Sequence, residues 1–314
     1  MTIRNQLDAW HAAGAITGAQ HAALGRLVRR ERVSVFVELN AALYLGVLAI
    51  AGGLAWTARA YSEQWGDIAI LGPATALVAG CLYYGFTRAA PYSPGRVLTS
   101  GLAFDYVLYL AALVFAVELA YVEYRFQLLR AQWDHYLLAS ACVYFFLAYR
   151  FDNRFVLSLA IGSLGAWFGV RVSHSMVFAD DAVRVASLAY AALAAAAGVA
   201  LSRASIKAHF LEAYLHVAAN VALAALVSGT FATADRAWWT LGLLVVASAA
   251  VALGVRFRRF AYVVYGVVYG YVGLSGEVVR HVDSLSLALL YVVVSATTVI
   301  AGLVVLSRRF GREP

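Results

Sequence analysis

Charge is what this chain has least of. Only 13% of its 314 residues are Asp, Glu, Lys or Arg, whereas 63% are hydrophobic and the mean hydropathy is +0.76. An ordinary soluble domain carries about a quarter charged residues and less than half apolar ones. The shortage excludes a soluble NTPase, a disordered chain and a DNA-binding domain as the body of the protein. Cysteine is almost missing as well. Cys81 and Cys142 stand alone inside apolar runs, so they form neither a CxxC motif nor a secreted disulfide framework. Of four prolines only Pro73 falls within an apolar run, which argues against the interrupted helices that often mark transporter sites. No GxxxxGK[ST], HExxH or GxGxxG introduces a nucleotide or zinc site. The connections, mostly under about 12 residues, are too short for a soluble catalytic domain. The first 32 residues lack the apolar stretch of a cleavable signal peptide.

What the chain has is long apolar runs. In hydrocarbon a helix must satisfy its own backbone hydrogen bonds, so runs of about 20 apolar residues bounded by charge are read as spans. Ten are expected: Val33–Thr57, Gly66–Phe86, Leu98–Tyr121, Trp133–Tyr149, Phe155–Val177, Ala182–Leu201, Ile206–Gly229, Ala237–Val255, Phe260–Val279 and Leu285–Leu306. The expected fold is all-α: residues 1–32 as a cytoplasmic helical hairpin, 33–306 as a polytopic bundle of about ten spans, and 307–314 as a cytoplasmic tail. Seventeen of the 24 basic residues fall on the N-terminal segment, alternate loops and the C-terminus, and seven on the other side. That asymmetry predicts a bacterial inner-membrane protein with both termini in the cytoplasm. Trp56, Trp65, Trp133, Trp238 and Trp239 gather at the expected outer interface as an aromatic belt. The net charge of +7 is then the positive-inside bias, with some attraction to anionic lipid headgroups, and not a nucleic-acid footprint.

Ile3, Leu7 and Trp10 recur at helical spacing, Gly14 breaks the pattern, and Thr17 to Gln20 reads as a capping box opening a second helix with Leu24, Leu27 and Val28 on one side. Such a pair either lies on the membrane with Arg26, Arg29, Arg30 and Arg32 facing headgroups, or serves as an oligomerisation or partner-docking handle. The pattern Leu7-x-x-Trp10-x-x-x-Gly14-x-Ile16-x-x-x-Gln20-x-x-x-Leu24, followed directly by apolar spans, resembles the bacterial membrane proteins grouped as domain of unknown function 2157. Tyr149-Arg150-Phe151-Asp152-Asn153-Arg154, leading into Ser158-x-x-Ile161-Gly162-Ser163-Leu164, is similar to a loop-and-helix segment of that group. The resemblance implies a multi-pass architecture. It brings no reaction, cofactor or binding residue.

An ionisable residue within a span costs about 2.5 to 3.5 kcal/mol on insertion scales, so each one retained is a pointer to function. At about 1.5 Å rise per residue, Glu38, Asp105 and Glu212 fall in one layer in the expected cytoplasmic half. Glu118, Arg171 and Glu277 fall in an outer layer close enough to the interface to snorkel. The seventh run carries His209, Glu212, His216 and Asn220 within an arc of roughly 80°. Glu38, Asp105, Glu212, His216 and Asn220 form the candidate polar site. They either line a proton- or cation-linked path or hydrogen-bond neighbouring helices, each such contact contributing about 0.6 kcal/mol on average. His209 and His216, two turns apart, do not readily share one metal ion without Glu38 or Asp105 from a neighbouring helix, and His135, His174 and His281 lie at the outer ends of their runs, a poor depth match to His216 for haem. In the ninth run Gly266-x-x-x-Gly270 permits close helix approach, with tyrosines filling the groove, and Glu277 is placed to pair with Arg280 on its own helix.

His216-x-x-x-Asn220 and Gly273-Leu274-Ser275-Gly276 resemble pieces of the rhomboid intramembrane proteases. The resemblance fails on the base: the last run holds no His, and the helix with Ser275 runs the opposite way. The expectation is a non-enzymatic membrane protein without cofactor. It is either transporter-like, its ten spans fitting a five-plus-five inverted repeat as in drug/metabolite transporters, or a structural or regulatory subunit of a membrane complex, docked on a membrane-protein partner or a second copy through the N-terminal hairpin and the Gly-rich helix faces. The substrate is not indicated.

Overall fold

The computed structural model describes residues 3–28, 36–97, 102–172, 181–232 and 236–310. Among these residues the structure is all-helical, without strands. Two short helices, α1 (Ile3–Ala12) and α2 (Gly18–Val28), come first. Thr17 caps α2 in both directions: its Oγ1 accepts the Gln20 N–H at 3.3 Å, and its own N–H reaches the Gln20 Oε1 at 2.9 Å. Asp8 and His21 tie α1 to α2 at 2.7 Å. The side chains of Arg26, Arg29, Arg30 and Arg32 lie outside the described residues.

Ten longer helices follow. They are α3 (Phe36–Trp65), α4 (Asp67–Arg88), α5 (Leu102–Phe126), α6 (His135–Phe151), α7 (Arg154–Val172), α8 (Asp181–Arg203), α9 (Leu211–Thr230), α10 (Arg236–Arg256), α11 (Phe260–Arg280) and α12 (Leu285–Phe310). Eight helical segments are long and apolar enough to cross a membrane, and the chain is a membrane protein. The two not among them, α6 with 17 residues and α7 with 19, are the shortest of the ten and supply much of the interior. Tyr144, Leu147, Ala148, Val156, Leu157, Ala160 and Ile161 pack there with Phe104, Leu108 and Ala112 of α5 and with Tyr190 and Ala194 of α8.

Small residues set the helix spacing. A Cβ at Gly198 of α8 would lie 2.6 Å from the Tyr214 Cβ, and one at Gly266 of α11 would lie 2.4 Å from the Ala247 carbonyl oxygen. Bare glycine therefore lets α8 seat on α9 and α10 on α11. A single residue, Gly66 at φ 77, turns α3 into α4; an L side chain there would be strained. α3 continues eight residues beyond the expected Thr57, because Tyr61 and Trp65 stack at 5.0 Å and carry the helix through the interfacial zone. Among the described residues α12 packs chiefly against α11, and Ala288 is the one residue of this helix that is buried.

Candidate functional site

The loops joining α4 to α5, α6 to α7 and α8 to α9 converge on one buried ion pair. α6 stops where Asp152 turns left-handed (φ 58), its N–H returning to the Ala148 carbonyl. Asn153 then caps α7, its Oδ1 accepting the Val156 N–H at 3.0 Å. α8 is followed by a second left-handed residue, Lys207 (φ 47), which is the only lysine of the chain. A lysine holds that conformation because both of its ends are tied. The backbone N–H donates to the Pro94 carbonyl at 2.7 Å, and Nζ donates to the Gly95 carbonyl at 3.1 Å and sits 3.0 Å from the Asp152 Oδ2. The Asp152 carboxylate also accepts the Val97 N–H and bonds the His209 Nε2. The Lys207 side chain is 1% and the Asp152 side chain 2% exposed. Burial favours the neutral acid, but the Val97 N–H, the Lys207 ammonium and His209 outweigh it and hold the Asp152 carboxyl below the usual carboxylate range.

A second constellation lies between α9 and α11. Glu212 accepts from Arg259 at 2.6 Å and from Arg154 at 3.4 Å, with the His216 Nε2 3.8 Å away. His216 stacks flat on Tyr262, ring centres 4.9 Å apart, and its Nδ1 meets the Tyr265 hydroxyl at 3.2 Å. The Asn220 Oδ1 accepts from the Tyr269 hydroxyl at 3.2 Å, and its Nδ2 donates to the His216 carbonyl at 2.8 Å. The polar stripe of α9 and the tyrosine stripe of α11 are thus two halves of one interface.

Two cavities open beside these clusters. The larger, about 790 Å³, is floored by Leu215, Ala218 and Ala219 of α9 and walled by Ala195 of α8 and by Val246, Ala249, Ala250 and Leu253 of α10. Its charged lining is Arg154, Glu212 and Arg259, with His209 beside them. The smaller, about 230 Å³, is bounded by Arg96, Asp105, Tyr109, Asp152 and Asn153. Arg154 and His209 line both, so the cavities adjoin at those two side chains. Among the described residues no three His, Cys, Asp or Glu side chains converge as a metal site would need.

The expected inner layer is therefore divided. Asp105 belongs to the smaller cavity, where Asn153 donates to it at 2.9 Å. Glu212 lines the larger cavity, while His216 and Asn220 stand behind it against tyrosines. Glu38 is near the start of α3, and its side chain lies outside the described residues. The expected arc of His209 with Glu212, His216 and Asn220 needs correction. Lys207 breaks the helix and residues 208–210 form a 3-10 turn, so His209 swings away from the α9 stripe and reaches Asp152. In the outer layer Glu118 accepts from Thr75, Arg171 pairs with Asp134 at 2.8 Å, and Glu277 pairs with Arg280 at 2.8 Å.

Sequence reasoning missed Asp152, Lys207 and Arg154 as site residues, because each sits in a short connection where charge is expected for topology alone. One signal was present: a single lysine among 23 arginines. Comparison with family models, curated proteins and solved structures returns no match.

Proposed function

We propose that the chain is a ten-span protein of the bacterial cytoplasmic membrane, with both termini in the cytoplasm, and that it acts without catalysis as a transporter-like protein. Its solute enters the cavity between α8, α9, α10 and α11 from the basic, cytoplasmic end. The resemblance to the domain of unknown function 2157 proteins belongs to the same proposal. The observation that carries it is the cavity itself: about 790 Å³, within the range of small-molecule sites, with apolar walls and three charged side chains plus His209 gathered at one end. Glu212 is already held by two guanidinium groups, so a bare cation would have to displace an arginine. That favours an organic solute over a naked ion, with any proton linkage running through Glu212 and His216.

The test is flux in reconstituted vesicles loaded with a pH-sensitive dye, comparing wild type with Ala250→Trp, which fills the cavity, and with Glu212→Gln and His216→Ala. Wild-type flux above that of protein-free vesicles, lowered by Ala250→Trp and Glu212→Gln, is expected. Equal flux in all, or none in any, ends the transport reading.

A structural or regulatory subunit is the second reading, favoured by α12, of whose described residues only Ala288 is buried. The glycine faces support it less, because Gly266, Gly273 and Gly276 of α11 are filled by Val251, Leu243 and Phe231 of this same chain.

A further inference from the structure

The ligand class of that cavity can be argued further; the inference rests on the cavity being the working site. α8 and α10 both pack along α9 but make no substantial contact with each other, so the cavity is a groove over α9 that is open sideways between them. Its floor is kept low by Ala218 and Ala219, and its walls are Ala195, Ala249, Ala250, Val246 and Leu253. In a bilayer no water is at hand to fill such a trough, and an empty one forfeits the dispersion contacts of its lining. Acyl chain is the material that surrounds it. The groove also has a polar end, where Arg154 opens α7 and Arg259 immediately precedes α11. Two guanidinium groups, Arg154 and Arg259, face one carboxylate, Glu212, which leaves one positive charge at the mouth. Glu212 engages each arginine through its Nη1, and a guanidinium, whose five N–H donors form a planar fork, suits a phosphate diester. Arg96 adds a further guanidinium to the lining of the adjoining cavity.

We infer that the groove binds one anionic phospholipid of the surrounding bilayer, its phosphate on Arg154 and Arg259 and one acyl chain along α9 between α8 and α10. A zwitterionic lipid fills the trough equally well but leaves the surplus charge unmatched, so the site selects by headgroup charge.

The experiment is native mass spectrometry of the purified full-length protein titrated with phosphatidylglycerol and, separately, with phosphatidylcholine. Wild type is expected to retain one phosphatidylglycerol in preference to phosphatidylcholine. Arg154→Gln with Arg259→Gln should lower that preference roughly five-fold per arginine. Ala250→Trp should lower retention of both lipids alike. Arg59→Gln is the control: Arg59 lines a separate groove of about 540 Å³ between α3 and α5, so the loss of one arginine there should leave the preference unchanged. Circular dichroism of each variant shows that it has folded. Should a poorly folded double glutamine variant result, Arg154→Lys with Arg259→Lys, which keeps the charge but not the fork, replaces it, and a partial loss of preference is expected. Equal retention of the two lipids by wild type, or an undiminished preference in the double variant, overturns the inference. Flux through reconstituted protein without selective retention ends the lipid assignment alone. Selective retention without flux leaves a lipid site and ends the transport reading.

Discussion

Replacing Lys207 by Met removes the charge from the buried pair while roughly keeping the side-chain volume, so the loss it causes is electrostatic and not a cavity effect. With the Lys207 and Asp152 side chains only 1% and 2% exposed, solvent cannot take over the role of the missing ammonium. Breaking a buried pair by removing one partner costs about 3 to 5 kcal/mol. An independent ceiling gives a similar figure: Asp152 can escape its charge by taking a proton, which for a carboxylate of ordinary affinity costs about 4 kcal/mol at pH 7. The Gly95 carbonyl loses its Nζ donor as well, while the Lys207 N–H bond to Pro94 survives the substitution. The expected loss is therefore about 4 kcal/mol. It can be read from unfolding by a denaturing detergent in mixed micelles, followed by the fluorescence of the seven tryptophans. The double variant Lys207→Met with Asp152→Asn, which removes both charges, should recover at least about 2 kcal/mol relative to the sum of the single changes. A single variant within about 1 kcal/mol of wild type, or strictly additive losses, would refute the claim that this pair holds three loops together.

Because the Asp152 carboxyl is held below its ordinary range, its contribution is complete above about pH 4 and is lost as the pH falls further. The stability gap between wild type and Asp152→Asn should accordingly narrow progressively as the pH falls below about 4, and a gap that stays constant contradicts the assignment. In α11 the two glycines of the GxxxG spacing should not behave alike. A Cβ at Gly266 would lie 2.4 Å from the Ala247 carbonyl oxygen, whereas one at Gly270 would lie 3.6 Å from the Ala247 Cβ. Gly266→Ala should cost about 1 to 3 kcal/mol in the same detergent titration and Gly270→Ala under about 0.5. Tyr269→Phe removes one interhelical hydrogen bond, to Asn220, and should cost about 0.6 kcal/mol. A loss several times larger would mean that the tyrosine stripe does more than join α9 to α11.

The helices were legible because hydrocarbon imposes a length and a composition on whatever crosses it. The runs beginning at Ala182, Ala237, Phe260 and Leu285 start within a residue of α8, α10, α11 and α12. The polar face of α9 was legible for the same reason, since Glu212, His216 and Asn220 break an apolar pattern at helical spacing. Their partners were not, because pairing across helices has no local signature. Tyr265 and Tyr269 read as groove-filling aromatics, and only the approach of α11 to α9 shows that their hydroxyls serve His216 and Asn220. The least legible residue was Asp152. It lies 55 residues from Lys207 and inside a stretch quoted for a resemblance, where a charge between two spans needs no further explanation.

That failure shows what the basic residues do. Arg154, Lys207 and Arg259 all count among the seventeen that predict the orientation, yet each is committed to a carboxylate: Lys207 to Asp152, and Arg154 and Arg259 to Glu212. Topology and site thus draw on the same side chains, and a neutralising change at the mouth of the groove could alter lipid retention merely by inverting the protein. The arithmetic argues otherwise. Losing Arg154 and Arg259 takes the asymmetry from seventeen against seven to fifteen against seven, still more than two to one, and orientation follows the overall bias rather than any single residue. The double variant should keep the wild-type accessibility of its termini to an impermeant reagent in sealed vesicles while its lipid preference falls. If the termini change sides as well, the two arginines are acting through topology, and their effect on lipid says nothing about the groove.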